Sequence, residues 1–209
     1  MARRSDHSRQ QLSEMSLKAA RKIVGEDGLQ ALTARRVASA INYSPGTLYN
    51  VFEDLDDLII HLNACTLDEL YSELSSTAMT GDPVLDLREL LKRYLGYLDA
   101  NRNLWDVLFD HKVPVDRVVP DWYRAKVAKV LGLIERALSP LFPDGDQKAC
   151  ANAAGVLWAS LHGICSLGGA GKRAARGGPA QTGRHTGQAA TRPATRRVAD
   201  QSQTARTDR

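Results

Sequence analysis

A cluster of short polar and basic side chains lies between residues 32 and 52. Hydroxyl, amide and guanidinium groups donate and accept hydrogen bonds, and the guanidinium groups are always charged. Such a set can bind the phosphates of a polyanion and hydrogen-bond to the groups between them. The candidates are Thr33, Arg35, Arg36, Ser44, Pro45, Gly46, Thr47, Tyr49 and Asn50.

Two other pairs have the spacing of metal ligands on a helix: His61 with Cys65, and His162 with Cys165. Neither pair has a second Cys/His pair at zinc-site spacing, so we interpret them as core or interface residues and expect no metal and no cofactor. The sequence also lacks a Gly-rich phosphate loop, a Gly-x-Ser-x-Gly elbow and a His-Glu-x-x-His motif. We therefore expect no enzymatic activity.

The elements that must position these residues are all helical, because apolar residues recur at three-and-four spacing and no segment alternates long enough for a sheet. Leu48, Val51 and Phe52 are expected in the core. The inner face of a later helix is predicted to consist of Val84, Leu87, Leu91, Tyr94, Leu95 and Leu98. The last helix is apolar on most of its circumference and therefore requires cover on several sides. Helices are predicted at about 8–26, 33–41, 44–52, 54–79, 83–98, 101–110, 121–138 and 146–167.

Two short helices joined by a tight turn and preceded by a longer helix have the outline of a helix-turn-helix. Residues 1–52 carry a net charge of +4, whereas residues 53–167 carry −7. A basic head on an acidic body orients the head toward a polyanion, although a charge of this size is often only a solvated face.

The formal charge of +4 for all 209 residues hides a basic C-terminal segment, since residues 168–209 carry nine basic and two acidic side chains. This segment has no Phe, Trp, Tyr, Leu or Ile and is expected to be a disordered tail. The predicted domains are 1–54, 55–167 and the tail 168–209.

Three observations bear on the compartment. No run of 18 apolar residues exists, so we expect no membrane span, and the polar N-terminus has no signal-peptide pattern. The three cysteines are odd in number and lie in apolar contexts, which favours reduced thiols and a cytoplasmic protein.

The run from Leu32 to Phe52 closely resembles the DNA-binding motif of the TetR family of bacterial transcriptional regulators. The matching positions are Thr33, Val37-Ala38, Ser44, Gly46, Tyr49 and Phe52. A second run, with Trp158, His162 and Gly163, resembles the Trp-x-x-x-His-Gly signature of one TetR C-terminal domain type. Together the resemblance covers residues from about 8 to 167 and implies an all-α fold, with a three-helix head on a helical ligand-binding and dimerisation bundle.

The sequence departs from the family pattern at three places. Asn42 stands where the turn usually has Gly, and Asn tolerates a left-handed backbone better than most residues. Tyr43 replaces a small aliphatic residue. Leu55 replaces a lysine that contacts phosphate in the family, which implies weaker anchoring to the DNA backbone.

The resemblance and helix geometry together assign roles to the head residues. The first turn of the recognition helix, Ser44 to Thr47, is the end that meets base edges in the major groove. Asn50 could read an adenine through two hydrogen bonds, with its side-chain amide oxygen accepting and its nitrogen donating. Thr33, Arg35, Arg36 and Tyr49 are expected at phosphates, although the Tyr49 ring could also be structural.

The resemblance also implies a small-molecule effector bound among the central helices. Six aromatic residues could line that pocket, with ordinary core packing as the alternative for each of them. They are Tyr71, Tyr94, Trp105, Phe109, Trp122 and Trp158.

Family members dimerise through their last two helices, so Val156, Ser160 and Ile164 are candidates for a homodimer interface. The second helix of that pair is not evident after residue 167. Residues from 168 are either out of frame with an ancestral coding sequence or a basic tail that adds nonspecific DNA affinity.

These observations predict a one-component, sequence-specific DNA-binding regulator, most simply a ligand-responsive repressor on a near-palindromic operator. The alternative is a helical ligand-binding or interaction module whose DNA binding is vestigial, which Leu55 and the aberrant C-terminus favour.

Overall fold

The computed structural model describes residues 7–111, 117–142 and 145–176. Eight α-helices and two short 3-10 turns make up this part of the chain, which contains no strand. The all-α prediction is therefore confirmed. The helices are α1 (Arg9–Asp27), α2 (Ala34–Ala40), α3 (Pro45–Leu48), α4 (Leu55–Ser75), α5 (Pro83–Ala100), α6 (Arg102–Asp110), α7 (Asp121–Leu138) and α8 (Gln147–Arg176).

The first helix begins at a reciprocal cap. The Ser8 hydroxyl accepts from the Gln11 amide (3.2 Å), and the Gln11 side chain accepts from the Ser8 amide (2.7 Å). The helix ends where Gly28 takes a φ of 79°, with its amide bonded to the Val24 carbonyl. These signals place the helix within one residue of its predicted bounds.

The turn between α2 and α3 depends on Asn42, which has a φ of 60°. This is the left-handed region that Gly favours and Asn tolerates. The prediction that Asn42 can replace the family's glycine is confirmed by this backbone. The turn is closed by the Tyr43 amide, which donates to the Ala38 carbonyl (2.9 Å).

Helix α4 begins at the Asp54 cap, whose carboxylate accepts from the Asp57 amide (2.7 Å). It ends at Ser75, four residues before the predicted end. The hydroxyls of Ser75 and Ser76 bond to the carbonyls of Ser72 and Glu73, and serines of this kind compete with the helical hydrogen-bond ladder.

The core has two main parts. The head core joins α1, α2, α3 and the first half of α4, and α6 contributes Leu104 and Val107 to it. The body core joins the second half of α4 with α5, α6 and α7, and Trp105 of α6 belongs to this part. Leu48 and Phe52 are fully buried in the head core, as predicted, and Val51 packs against it half-buried.

The predicted inner face of α5 is too wide. Val84, Leu91 and Leu95 are 65%, 41% and 39% exposed. Tyr94 and Leu98 are buried as predicted, and Leu90, which the prediction left out, is buried as well. The reason is that α4 and α7 cover a single stripe of α5, so apolar residues beside that stripe stay at the surface.

Helix α8 continues nine residues beyond the predicted end at 167. The prediction of a disordered tail is therefore wrong for residues 168–176, where Ala, Lys and Arg are strong helix formers. The rest of the predicted tail, 177–209, lies outside the described residues.

Within α8, the stretch Gln147–Leu167 is long and apolar enough to cross a membrane by length and composition. The sequence predicts no membrane span, because the chain has no uninterrupted run of 18 apolar residues. One such helix does not by itself indicate a membrane span, because helices of soluble cores and interfaces can have the same composition.

Candidate nucleic-acid interface and central cavity

The start of α3 presents its backbone and short side chains at the surface of the head. Pro45 and Gly46 are exposed, and the hydroxyls of Ser44 and Thr47 lie 3.1 Å apart, half-buried. Ser44 makes no side-chain cap bond to the helix, so its hydroxyl is engaged only with Thr47 among the described contacts. This turn can hydrogen-bond outward once the two hydroxyls separate.

The end of α3 combines exposed polar groups with a buried anchor. Tyr49 is 50% exposed and Asn50 is exposed, whereas Leu48 and Phe52 beside them are each 2% exposed. Helix α3 ends at Leu48, so Asn50 lies in the turn that follows the helix. The buried pair fixes the turn to the head core and leaves Tyr49 and Asn50 facing solvent.

Gly46 is not required by the packing of the head. A Cβ atom added there would meet only the Ser44 hydroxyl, at 3.9 Å, and the φ of Gly46 is not in the left-handed region. The fold would therefore accept alanine at this position. A glycine here gives close access to the backbone from outside the protein.

Three of the predicted DNA contacts, Thr33, Arg35 and Arg36, precede the turn, and their surroundings differ. The Thr33 hydroxyl caps α2 by accepting from the Arg36 amide (3.2 Å), so Thr33 has a structural task. The Arg36 guanidinium is paired with Asp27, which holds it against α1. Arg35 is exposed, and no ion pair involves it among the described residues.

The two other departures from the family pattern, Tyr43 and Leu55, are partly buried in the head. The Tyr43 hydroxyl lies 2.7 Å from Nδ1 of His7, so the larger side chain ties the turn to the segment before α1. Leu55, at the start of α4, packs half-buried against the head core.

A cluster of charges joins the N-terminus of α4 to the segments around α6 and α7. Arg117 lies 2.7 Å from Asp54, 3.2 Å from Glu53 and 3.5 Å from Asp57. Partial burial acts to raise the pKa of Asp54, but the Asp57 amide and Arg117 outweigh it and hold that pKa below its usual value. At the end of α6, Nε2 of His111 lies 2.8 Å from Asp56.

The body contains a cavity of about 280 Å³ between α4, α5, α7 and α8. Its walls are mostly leucine and isoleucine side chains, and none of its lining residues is charged. Leu157, Ser160 and Ile164 of α8 are exposed and lie at its mouth. The remaining lining residues are Leu74, Leu87, Leu90, Leu91, Tyr94, Ile134, Trp158 and Leu161.

A chain of hydrogen bonds lies behind the cavity wall. Nε1 of Trp105 donates to the Tyr94 hydroxyl (2.6 Å), which lies 3.1 Å from Nε2 of His162. Nδ1 of His162 lies 2.7 Å from the Trp158 carbonyl. Because a carbonyl can only accept, Nδ1 carries the proton of the neutral ring and Nε2 accepts from Tyr94. Each donor in this series therefore has an acceptor, from Trp105 on α6 through Tyr94 on α5 to His162 on α8.

The surroundings of His162 keep its ring neutral. Trp105 stacks on it with an interplanar angle of 1°, and the rings of Phe109 and Trp158 lie at centroid distances of 3.7 and 4.3 Å. Burial lowers the pKa of His162 to about 4, and its bond to the Trp158 carbonyl opposes that shift. Burial also raises the pKa of the Tyr94 hydroxyl above its usual value.

Comparison with known families matches both parts of the chain. Residues 17–62 match the family model of bacterial regulatory proteins of the tetR family, and residues 87–186 match the model of the tetracyclin repressor-like C-terminal domain. The chain belongs to the TetR family of bacterial transcriptional regulators. It is a DNA-binding transcriptional regulator, as the sequence predicted.

Solved structures agree on the fold. A protein of unknown function from Rhodococcus sp. RHA1 has 20% identity and a TM-score of 0.62, covering 81% of this chain and 88% of that one. A possible TetR family transcriptional regulator from Streptomyces coelicolor A3(2) has 19% identity and a TM-score of 0.53, with coverages of 72% and 68%. A comparison with curated protein sequences finds no match.

Only two of the six aromatic residues predicted at a pocket in this TetR regulator line the cavity, namely Tyr94 and Trp158. Trp105 is fully buried behind Tyr94, and Phe109 packs against Trp105 and His162 at the surface. Tyr71 is 36% exposed on α4. Trp122 stacks on His61 near the head, because the start of α7 lies beside the start of α4 rather than beside the cavity.

The predicted interface residues of α8 are all at the surface. Val156 and Ile164 are 65% and 69% exposed, and Ser160 is exposed between them. Ser160 and Ile164 also line the cavity mouth. The apolar face predicted on this helix is therefore present and uncovered within the described residues.

Sequence reasoning missed the part played by several residues. His162 was noted only in the Trp-x-x-x-His-Gly signature and as a possible metal ligand, yet it completes the buried hydrogen-bond chain. The sequence signal for this role is the four-residue spacing between Trp158 and His162, which puts both side chains on one face of the helix. His111 and Arg117 gave no comparable signal, because their partners lie more than 50 positions away. No group of three potential metal ligands occurs among the described residues.

Proposed function

We propose that the protein is a ligand-responsive repressor in the bacterial cytoplasm, which binds a near-palindromic operator as a homodimer and releases it when a small molecule occupies the cavity. The head, residues 1–54, reads DNA. The body, residues 55–167, binds the effector and pairs the subunits.

The observation that carries this proposal is the double role of α6. Leu104 and Val107 belong to the head core, whereas Trp105 between them belongs to the body core and donates to Tyr94, which lines the cavity. A ligand that displaces Tyr94 or Trp158 also displaces the helix that supports the head. Packed cores respond to such shifts by moving between discrete arrangements, so head separation is coupled to cavity occupancy.

In the proposed complex the first turn of α3 enters the major groove. Thr47 and Asn50 contact base edges, and the Gly46 backbone approaches closely. Ser44, Pro45 and Tyr49 flank them, and Thr33, Arg35 and Arg36 lie toward phosphates. Two heads reach half-sites separated by about one helical turn, 34–36 Å, or a multiple of it.

Replacement of Thr47 and Asn50 by alanine tests the reading head. Fluorescence anisotropy with labelled DNA from the region flanking the gene measures affinity against a scrambled duplex. We expect the double variant to lose the preference for the specific duplex and keep salt-dependent nonspecific binding. Gln30→Ala, an exposed polar position outside the contact set, is the control. Retained selectivity in the double variant would contradict the proposal.

Two observations favour the alternative of a binding module with vestigial DNA affinity. Arg36 is already paired with Asp27, and Leu55 offers no charge at the start of α4, so the phosphate contacts are few. A mobility shift with the flanking DNA separates the two functions. Binding at low salt with no preference over scrambled DNA would support the alternative.

A further inference from the structure

From the lining of the cavity we infer that its ligand is a small, uncharged and mostly apolar molecule of about ten carbon atoms, bound between α4, α5, α7 and α8. This inference rests on the proposed function, because it names the chemical class of the effector. Three properties of the cavity carry it: its lining, the state of its polar groups and its size.

The lining offers no partner for a charge. Every wall residue except Tyr94, Trp158 and Ser160 is a leucine or isoleucine, and the cavity has neither an acidic nor a basic lining residue. A carboxylate or ammonium group placed there would lose its hydration without gaining an opposite charge. Charged ligands are therefore excluded from the interior.

The polar groups that reach the cavity are largely occupied already. The Tyr94 hydroxyl accepts from Trp105 and donates to His162, and the neutral His162 ring donates to the Trp158 carbonyl. Breaking this chain would leave a buried donor or acceptor without a partner. A ligand that required several strong hydrogen bonds would have to break it. The Ser160 hydroxyl, exposed at the mouth, can bind one hydroxyl or carbonyl group of a ligand.

The size indicates how much of a ligand the cavity can enclose. Apolar cavities of about 150 Å³ stay free of water and bind benzene. A cavity of about 280 Å³ therefore accommodates on the order of ten carbon atoms. Alkyl chains and fused rings of that size fit inside, whereas a large polycyclic ligand would extend out of the open mouth.

The test compares three probes with one chain length and different head groups: decan-1-ol, decanoate and decylammonium. Isothermal titration calorimetry on the full chain without DNA measures binding at neutral pH. We expect decan-1-ol to bind at least about tenfold more tightly than either charged probe. The alcohol can bond to the Ser160 hydroxyl at the mouth, whereas a charged head group beside Leu157 and Ile164 loses part of its hydration and meets no opposite charge. Equal or tighter binding of decanoate or decylammonium would overturn the inference, as would no binding of the alcohol. The latter is also the result expected if a second copy or the segment after residue 176 fills the cavity.

A matched pair of variants locates the binding. Leu157→Trp places a large ring at the cavity mouth, whereas Leu85→Trp adds the same ring on α5 at a position that does not line the cavity. Leu157 and Leu85 are 43% and 51% exposed, so neither change disturbs a buried core, and thermal unfolding checks this. We expect Leu157→Trp to abolish decan-1-ol binding and Leu85→Trp to keep it. Loss in both or in neither would place the probe elsewhere and overturn the assignment.

The failure of this inference is distinguishable from the failure of the proposed function. If decan-1-ol binds and the affinity for DNA stays unchanged, the ligand class is correct and the response to ligand is wrong. If a charged molecule binds and releases DNA while the alcohol does not bind, the response is correct and the ligand class is wrong.

Discussion

The Tyr94 hydroxyl of α5 and Nε2 of His162 on α8 meet at 3.1 Å in an otherwise apolar region. The contact joins two helices separated by 68 positions in the sequence, and Trp105 of α6 completes it. The Trp158 carbonyl fixes the neutral tautomer of His162, and that tautomer makes the Tyr94 hydroxyl the donor to Nε2. The position of α8 on the body is thus tied to one uncharged imidazole.

Protonation of His162 should destabilise the protein. Because the pKa of His162 is lowered from 6.5 to about 4, the unfolded chain binds this proton first as the pH falls. Stability from this group is complete above pH 6.5, decreases between pH 6.5 and about 4, and is lost below that range. The full effect is up to about 3 kcal/mol. Urea denaturation from pH 7.5 to 4 measures it. His162→Phe should have a flatter profile over this window, and an equal slope in both proteins would contradict the assignment.

Gly46→Ala should separate folding from DNA binding. The fold has room for the added methyl group, so we expect stability to stay equal or to rise by up to about 1 kcal/mol, as for Gly to Ala in helices. Affinity for the operator should fall by about 1 kcal/mol or more, because the methyl group lies between the backbone and the groove. Thermal unfolding and fluorescence anisotropy measure the two effects. A variant that binds DNA normally would remove Gly46 from the interface.

Asn42 should be replaceable by glycine but not by alanine. Its φ of 60° is accessible to Gly, whereas Ala pays about 1–2 kcal/mol for this conformation. We expect Asn42→Ala to lower the free energy of unfolding by about 1 kcal/mol and Asn42→Gly to leave it nearly unchanged. Urea denaturation compares the two. Equal stabilities would show that the turn does not hold the left-handed backbone in solution.

Arg117→Ala should weaken the attachment of α4. Arg117 is 18% exposed and contacts three carboxylates, so its loss is expected to cost about 1 kcal/mol, and less in 1 M salt. Arg124→Ala is the matched control, because Arg124 and its partner Asp121 are 56% and 93% exposed. The control should lose at most about 0.5 kcal/mol, as isolated surface pairs do. An equally large loss of stability in Arg124→Ala would mean that the carboxylates around Arg117 stabilise the protein no more than an isolated surface pair does.

Val156→Glu should dissociate the proposed dimer. A charge on the uncovered face of α8 cannot be buried against a second copy without a partner. Val84→Glu is the matched control, because Val84 is also 65% exposed but lies on α5. Sedimentation velocity should find a monomer for Val156→Glu and a dimer for Val84→Glu and the wild type. A wild-type monomer, or a dimer in both variants, would place the interface elsewhere.

Much of the fold follows from local signals in the sequence. The start of α1 is given by Ser8 and Gln11, the turn by Asn42, and the start of α4 by Asp54, because caps and turns depend on neighbouring residues. The ends of α4 and α8 do not follow in this way. The end of α4 depends on competing serine bonds, and that of α8 lies in a stretch whose glycines and helix formers give opposing signals.

The candidate functional residues also fall into two groups: those in the head, which follow from local sequence, and those at the cavity, which depend on tertiary packing. The sequence determined the head, because its spacing of Thr33, Ser44, Gly46 and Tyr49 is a local pattern, and the exposure of α3 follows from the burial of Leu48 and Phe52. Only the tertiary structure decided which residues form the cavity. The sequence does not distinguish the six aromatic residues as candidates for the pocket. In the structure Tyr94 and Trp158 line the cavity, whereas Trp122 stacks on His61 near the head. The reason is physical: a helical period tells which side of a helix is apolar, whereas which helices meet on that side is set by packing between residues far apart in the chain.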